Sequence, residues 1–214
     1  MSSDFATDQE AFWAGSFGDE YTDRNQGGQI VACKTALLGR IVTRTTGIGS
    51  VIEFGANIGL NLIALRRLVP QAELEAIEIN ATAARRLAEL GIAVHHVSIL
   101  EFTPRRTYDL VLISGVLIHI APEKLALTYD LLHRCCNQYL CIAEYYNPTP
   151  VELPYRGHRQ RLFKRDFAGE MLDRFSDLRL LDYGFAYHRD PAFPQDDLTW
   201  FLLERRTSRA ESAG

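Results

Sequence analysis

The sequence predicts an α/β fold with a seven-stranded, mostly parallel sheet, helices on both faces and an N-terminal helical cap. Strand-like and helix-like segments alternate from about residue 50 onward, as they do in parallel sheets. Residues 110–113 read Leu-Val-Leu-Ile, an apolar run that predicts a central strand buried on both faces. A glycine-bearing turn follows the first apolar run, where open sheets of this type bind ligands. These observations together indicate a Rossmann-like architecture.

Each predicted element has a local reason. Strands are predicted at residues 51–54, 74–79, 93–97, 108–114, 138–144, 178–187 and 199–205, and the last two favour an antiparallel pair. Helices are predicted at residues 61–68, 81–90, 122–136 and 164–175. Pro70 and Gly91 follow the first two of these helices, and Pro122 stands in the first turn of the third, positions typical of helix boundaries.

Composition and charge restrict the function. The chain has 214 residues, of which 47% are hydrophobic, enough for one α/β domain with a full core. Its net charge of −4 lacks the basic footprint of nucleic-acid binders, so no nucleic-acid partner is expected. No apolar run approaches the roughly 20 residues of a membrane span, and no signal peptide is evident. We therefore expect a cytoplasmic protein without membrane contact. The four cysteines lack C-x-x-C spacing, which predicts free thiols and no metal site.

Residues 51–59, Val-Ile-Glu-Phe-Gly-Ala-Asn-Ile-Gly, predict a ligand-binding turn. The first strand carries Glu53, and Gly55 and Gly59 then open a helix. Glycine lets the backbone approach a ligand, and the helix start directs N–H groups at it. Glu78 ends the second strand 19 residues beyond Gly59, where a carboxylate can accept both ribose hydroxyls of a nucleoside. The spacing predicts a nucleoside cofactor across these strand ends.

The turn favours S-adenosylmethionine (SAM) over NAD. A dinucleotide site has the pattern Gly-x-Gly-x-x-Gly, which lets the backbone meet a pyrophosphate. Here only two glycines are present, and Glu53 would repel a phosphate but attract an ammonium group. SAM has an ammonium group and a ribose diol without a phosphate, so it is the predicted cofactor and S-adenosylhomocysteine (SAH) the predicted product. The alternative is an ordinary strand-to-helix turn.

His119 is the candidate base at the acceptor end of the site. The fourth strand ends in Ser114, which we assign to the cofactor site, and His119 follows five residues later. Strands one and four flank the point where strand order reverses, so His119 is expected where the acceptor meets the methyl group. Its imidazole could take a proton from an attacking nitrogen or oxygen. The alternative is a structural histidine or one that packs on the adenine.

The segment after the fifth strand supplies further candidates. It reads Glu144-Tyr145-Tyr146-Asn147-Pro148-Thr149-Pro150, and its prolines stiffen the backbone. Glu144 and Tyr145 are assigned to catalysis, and Tyr146 and Asn147 to substrate binding. The alternative is a capping turn with tyrosine in the core.

A cationic segment follows, and it predicts an anionic acceptor. Its cations are Arg156, Arg159, Arg161, Lys164 and Arg165. Arginine presents a fork that matches carboxylate or phosphate, and we assign His158, Arg159, Lys164 and Arg165 to the substrate. The alternative is a solvated surface loop in which Asp166 caps the next helix.

Residues 1–45 are predicted to form the helical cap or lid. Aromatic residues are dense in residues 12–25, and such a segment could exclude water from methyl transfer. Tyr21, Arg24 and Asn25 are the chosen cofactor contacts, with an aromatic anchor on the core as the alternative. Residues 46–206 then form the SAM-binding methyltransferase domain, and residues 207–214 a flexible tail.

These segments together resemble the pseudaminic-acid-biosynthesis-associated methylases, a bacterial group of class I SAM-dependent methyltransferases. The resemblance covers roughly residues 12–205. The matching segments are Phe12-Trp13, Phe17-Gly18-Asp19 with Tyr21 and Arg24-Asn25, Glu53-Phe54-Gly55-Ala56-Asn57-Ile58-Gly59, Gly115-Val116-Leu117-Ile118-His119-Ile120, Glu144-Tyr145-Tyr146-Asn147-Pro148 and Leu162-Phe163-Lys164-Arg165-Asp166-Phe167.

The resemblance implies roles for individual residues. It assigns the methionine part of SAM to Glu53, Gly55, Asn57 and Gly59, the ribose to Glu78, and the adenine to Ile79, Ser98 and Ile99. Many relatives in the superfamily have Asp where Ser98 stands, which leaves the contact to the adenine amino group without its usual acceptor. The resemblance also implies a nonulosonic acid, or its nucleotide-linked form, as the acceptor.

The function that follows is methyl transfer from SAM to a nitrogen or oxygen of a small anionic acceptor. Positioning supplies much of the rate in such a reaction, so no catalytic dyad is required. Two alternatives stay open: a SAM-binding protein without turnover, and an NAD-dependent oxidoreductase on a similar fold.

Overall fold

A computed structural model of the chain describes residues 5–24 and 27–206, except for the side chains of residues 159 and 160. Asn25 and the predicted tail at 207–214 lie outside these ranges. The strands are β1 Ser50–Phe54, β2 Glu73–Glu78, β3 Ala93–His96, β4 Tyr108–Ser114, β5 Cys136–Glu144, β6 Val151–Tyr155, β7 His158–Lys164, β8 Leu178–Ala186 and β9 Leu198–Arg205. The helices are α1 Asp8–Ala14, α2 Ser16–Arg24, α3 Gly28–Val42, α4 Leu60–Leu68, α5 Ala81–Glu89, α6 Leu125–Cys135 and α7 Phe167–Arg174.

The main sheet has seven strands in the order β3-β2-β1-β4-β5-β9-β8. Strands β1 to β5 are parallel, whereas β9 runs antiparallel to both of its neighbours. The predicted α/β fold and its final antiparallel pair are confirmed. The chain leaves β1 toward β2 and β3 and then returns to β4 on the other side, so a crevice opens at the carboxyl ends of β1 and β4.

Alternation along the strands divides the core between the two faces of the sheet. Val51 packs with the apolar side chains of α3, α4 and α5, whereas Ile52 and Phe54 pack with those of α6 and α7. All three side chains are fully buried, and burying each contributes about 1.5–3 kcal/mol. Helix α3 packs on the sheet, whereas α1 and α2 form hydrogen bonds with residues at the strand ends.

The cationic segment belongs to a β-hairpin, where the sequence analysis predicted no strands. Strands β6 and β7 pair antiparallel, with Tyr155 opposite His158. Between them Arg156 and Gly157 have φ angles of 48° and 86°, the positive values that a tight two-residue hairpin turn requires.

The helix after this hairpin starts later than predicted. Lys164 belongs to β7, and α7 begins at Phe167. Asp166 caps it, because its Oδ1 accepts a hydrogen bond from the backbone N–H of Gly169 at 2.8 Å. The predicted helix at 122–136 likewise begins with a short 3-10 turn at Pro122–Lys124 before α6. In the described ranges no helix is both long and apolar enough to span a bilayer.

Candidate functional site

A cavity of about 440 Å³ lies at the carboxyl ends of β1, β2 and β4. Its walls come from the glycine turn, the segments after β2, β3 and β4, the cap helices, α3 and the loop between β8 and β9. Of the predicted cofactor residues, it is lined by Tyr21, Glu53, Gly55, Asn57, Glu78, Ile79, Ser98, Ile99 and Ser114. The structure thus brings most of the predicted cofactor residues to one cavity, which falls in the size range of small-molecule sites.

Gly55 and Gly59, the two glycines of the turn, are required for different structural reasons. Both have left-handed backbone, with φ of 69° at Gly55 and 79° at Gly59. A Cβ on Gly55 would lie 2.7 Å from Cγ2 of Val116, and one on Gly59 would lie 2.6 Å from Cδ2 of Leu87. Gly55 lines the cavity, whereas Gly59 lets α4 approach α5 and does not line it.

Both carboxylate oxygens of Glu78 are held by backbone N–H groups. Its Oε2 accepts a hydrogen bond from the N–H of Asn57, and its Oε1 one from the N–H of Asn80, each at 2.7 Å. The residue is 6% exposed, and burial raises the pKa of its carboxyl group. Each oxygen keeps a second acceptor position, so the carboxylate can accept hydroxyl donors from the cavity.

Glu53 is the second buried acid of the cavity. Its Oε1 accepts a hydrogen bond of 2.6 Å from Nδ2 of Asn61, and burial raises its pKa to about 8. Lys34 on α3 also lines the cavity, and its charge favours the ionised form of Glu53. Burial lowers the pKa of Lys34 in turn. The cavity therefore holds an acid and an amine within electrostatic reach of each other.

Side-chain hydrogen bonds connect the cap helices α1 and α2 to the wall of the cavity. The hydroxyl of Thr22 donates to Oδ1 of Asn57 at 2.9 Å. Nδ2 of Asn80 donates to Oδ1 of Asp19 at 3.1 Å. The hydroxyl of Ser98 donates to Oε1 of Glu10 on α1. The cap thus contacts the glycine turn, the tip of β2 and the segment after β3, three parts of the same cavity wall.

His119 lines the cavity on the segment that follows β4. It ends a 3-10 turn at Leu117–His119, and its Nδ1 lies 2.5 Å from the carbonyl oxygen of Arg161. A carbonyl only accepts, so Nδ1 carries the proton and Nε2 of the neutral ring keeps its lone pair. Burial lowers the pKa of His119 to about 4. The ring centroid lies 4.7 Å from that of Trp13 and 4.9 Å from that of Tyr155.

Glu144 lies behind the cavity wall and does not line it. Its Oε1 accepts hydrogen bonds from the N–H groups of Val116 and Leu117, both at 2.9 Å. Burial raises its pKa to about 7. These bonds hold the turn that carries His119, so the geometry gives Glu144 a positioning role in place of direct contact with the acceptor.

The tyrosine segment after β5 also lies outside the cavity lining. The amine of Lys164 lies 5.0 Å from the centroid of the Tyr145 ring, and burial raises the pKa of Tyr145. Tyr146 is 41% exposed, with its ring 5.9 Å from that of Phe201. The amide of Asn147 donates to the carbonyl of Thr149 at 2.5 Å, which folds the segment back on itself.

The predicted cationic contacts do not reach the cavity in the described part of the chain. Arg165 pairs with Glu170 at 3.3 Å, and exposed Arg24 lies 3.5 Å from Glu20. The ring of His158 packs 5.0 Å from that of Phe12. Asn25 and the side chain of Arg159 lie outside the described residues, so their assigned roles stay predictions.

Several lining residues were missed by the sequence analysis: Glu10, Trp13, Lys34, Asn61 and Asp196. Trp13 stands in the aromatic-dense segment without having been assigned to the site, and Glu10 carries a local signal because Thr7 and Glu10 form a capping box at the start of α1. Asp196 arrives on the loop between β8 and β9, where Nε2 of Gln195 donates to the carbonyl of Cys33 on α3 at 3.1 Å.

Comparison with known proteins shows which of them share this fold. No protein-family model matches the chain, and no curated protein matches it significantly. Solved structures do. One is the magnesium protoporphyrin IX methyltransferase from Synechocystis PCC 6803 with bound SAM, with a TM-score of 0.65 at 15% identity over 94% of this chain and 98% of that chain. The chain has the class I methyltransferase fold.

Two further structures show the same likeness. The 1,6-didemethyltoxoflavin-N1-methyltransferase of Burkholderia thailandensis, with its substrate and SAH bound, gives a TM-score of 0.67 at 14% identity over 92% of this chain and 87% of that chain. The sugar N-methyltransferase KedS8 from Streptoalloteichus sp ATCC 53650 gives 0.64 at 16% identity over 91% and 94%. None of these structures points to the pseudaminic-acid methylases, so that resemblance stays a prediction.

Proposed function

We propose that the protein is a SAM-dependent methyltransferase that acts on a nitrogen or oxygen of a small acceptor. The observation that carries the proposal is the pair of buried carboxylates, Glu53 and Glu78, that line one cavity beside a glycine turn. A pyrophosphate would meet two acidic side chains there, whereas an ammonium group and a ribose diol find the acceptors they need. When bound, SAM supplies an electrophilic methyl group on its sulfonium sulfur.

The described residues fit the charges of this cofactor. The Glu53 carboxylate would bind its ammonium group, and the Lys34 amine its carboxylate, since the two side chains face the same cavity with opposite charge. Glu78 would accept the ribose hydroxyls. Ile79 and Ile99 line the wall beyond Glu78 and present apolar surface for the adenine.

The acceptor would enter between His119 and the cap. Nε2 of His119 keeps its lone pair at neutral pH and can hold or take a proton from the attacking atom. The rings of Trp13, Tyr21 and Tyr155 enclose this end, with centroids of Trp13 and Tyr21 5.3 Å apart. Their apolar surface excludes water from the transfer.

For the acceptor we propose a nonulosonic acid sugar or its nucleotide-linked form. The resemblance to the pseudaminic-acid-associated methylases supports this, as do two cations that pack on aromatic rings of the cap and of the β6–β7 hairpin. The guanidinium carbon of Arg161 lies 5.3 Å from the Phe12 ring, and that of Arg156 lies 5.9 Å from the Tyr155 ring. A carboxylate or phosphate on the acceptor would meet these guanidinium groups as it enters.

The experiment is a transfer assay with SAM labelled on its methyl group. Free and nucleotide-linked sugar acids form the panel, neutral amino sugars serve as a matched set without the anion, and Glu78→Ala serves as the cofactor-site control. We expect transfer to the sugar acids and none by the control. Transfer only to neutral acceptors would overturn the acceptor assignment. SAH binding without any transfer would favour a SAM-binding protein without turnover.

A further inference from the structure

We propose that Glu10, on cap helix α1, selects adenine by accepting the hydrogen bond from its 6-amino group. The proposal rests on the SAM site proposed above. Ser98, in the segment after β3, is not an acid. The contact to the amino group is therefore assigned to an acid of the cap.

The position of the base follows from the position of the ribose. With the ribose on Glu78, at the tip of β2, the base extends toward β3. The cavity wall in that direction consists of Ile79, Ser98, Ile99 and Leu100, and Glu10 lines the cavity beside them. Ser98 and Glu10 are hydrogen-bonded to each other, so the carboxylate lies at the edge where the 6-position of the purine arrives.

Ser98 cannot fill the acceptor role in the way an acid would. Its hydroxyl has a single proton, which it donates to Oε1 of Glu10. Its oxygen already accepts a hydrogen bond from the backbone N–H of Leu100 at 3.0 Å. That oxygen keeps one further acceptor position, but it is neutral and so a weaker acceptor than the carboxylate of Glu10, which the serine orients.

Glu10 retains one acceptor position for a ligand. The residue is 8% exposed. Its Oε2 accepts from the N–H of Thr7 at 2.8 Å and from the hydroxyl of Thr7 at 3.1 Å, and its Oε1 accepts from Ser98. A carboxylate offers about four acceptor positions, so the one left on Oε1 is available to a donor in the cavity. A 6-amino purine supplies that donor, whereas a purine without it does not.

The test compares two ligands by calorimetry: SAH, and its analogue in which hydrogen replaces the 6-amino group. The wild type is expected to prefer SAH by about tenfold, the value of one hydrogen bond to a charged group. In Glu10→Ala, and in Glu10→Met, which keeps the side-chain volume without an acceptor, the preference should fall below about twofold. Thr7→Ala removes the hydroxyl bond to Oε2 of Glu10, keeps the backbone N–H bond to the same oxygen and leaves Oε1 unchanged, so this control should retain the preference.

The outcomes separate the two proposals. If the wild type binds both ligands equally, or if the Glu10 variants lose affinity for both ligands while the preference persists, Glu10 only holds the cap and the inference is overturned. In either case the SAM site stands, because SAH still binds the wild type. If the wild type binds neither ligand, the SAM site itself fails and the inference with it.

Discussion

Nδ2 of Asn61 donates a hydrogen bond of 2.6 Å to Oε1 of Glu53, while Oε2 of Glu53 is buried with no partner in the described part of the chain. Buried polar atoms are rarely left unpaired, and each such atom calls for an explanation. A carboxylate that lines a cavity with one oxygen anchored and the other unpaired is suited to a cationic group of a ligand. This relationship is the basis of the first prediction.

SAH affinity should rise between pH 6 and pH 8. The pKa of Glu53 is raised to about 8 in the free protein, so its carboxyl group is mostly protonated at pH 6 and gains charge as the pH rises. The ammonium group of SAH needs that charge, and we expect affinity to increase by about fivefold or more over this interval. Calorimetry at several pH values measures it. Glu53→Gln should bind about tenfold more weakly, without the pH dependence.

Glu144→Gln is the matched control for Glu53. Glu144 is also a buried acid with a raised pKa, but it does not line the cavity, so its variant should keep the pH dependence of SAH binding.

The contribution of Glu53 to the stability of the protein should change with pH in the opposite sense to SAH affinity. A folded-state pKa above the unfolded value gives stability that is present below about pH 4.5 and is lost as the pH rises through about 8. Glu53→Gln should therefore gain on the wild type in urea melts as the pH rises from 5 to 8, and a constant difference would contradict this.

Glu78→Gln should impair both binding and stability. Each carboxylate oxygen accepts a backbone N–H, from Asn57 and from Asn80. The NH₂ of glutamine would face one of these donors, which leaves a buried N–H unpaired and costs about 1–3 kcal/mol. We expect SAH affinity about tenfold lower and a lower urea midpoint. Unchanged affinity in the folded variant would remove Glu78 from the ribose site.

His119 should stay neutral through the physiological range. Its pKa is lowered to about 4 by burial, and the Arg161 carbonyl fixes the proton on Nδ1. Because this pKa lies below the unfolded value of about 6.5, the stability that His119 contributes is present above pH 6.5 and is lost as the pH falls through 4. Nitrogen NMR of the ring should show protonated Nδ1 and bare Nε2 from pH 5.5 to 8. A titration midpoint near 6.5 would contradict the assignment.

Gly59→Ala should destabilise the protein more than Gly91→Ala. Both residues have similar left-handed backbone, with φ of 79° and 68°, so both variants pay about 1 kcal/mol for the conformation. Only at Gly59 would the new Cβ clash, at 2.6 Å from Leu87, whereas Gly91 has nothing within 4 Å. The difference, about 1–3 kcal/mol, measures the cost of separating α4 from α5 and is read from urea melts. Equal losses would contradict the packing role of Gly59.

The sheet and the glycine turn could be predicted because their signals are local. Alternation and apolar runs give the strands of the main sheet, and the acid at the end of β2 follows from strand topology. The same logic failed at the β6–β7 hairpin, where no strands were predicted. Its local signal was Arg156-Gly157, a two-residue turn with glycine second, but arginine in place of asparagine weakens that signal.

Much of the site could not be predicted, because it forms only by tertiary packing. Glu10 and Ser98 are 88 positions apart in sequence and meet through the docking of α1. Lys34 stands on an amphipathic helix without any motif around it. In contrast, Tyr146 and Asn147 have suggestive sequence neighbours but lie outside the cavity. The direction in which the chain leaves β5 decides this, and no local pattern encodes it.

The most direct test of a SAM site in this protein is a calorimetric titration of the wild type with SAH at pH 8, where Glu53 is about half ionised, with NAD as the control ligand. The account predicts micromolar binding of SAH and no binding of NAD. Binding of NAD, or no binding of SAH at this pH, would contradict it.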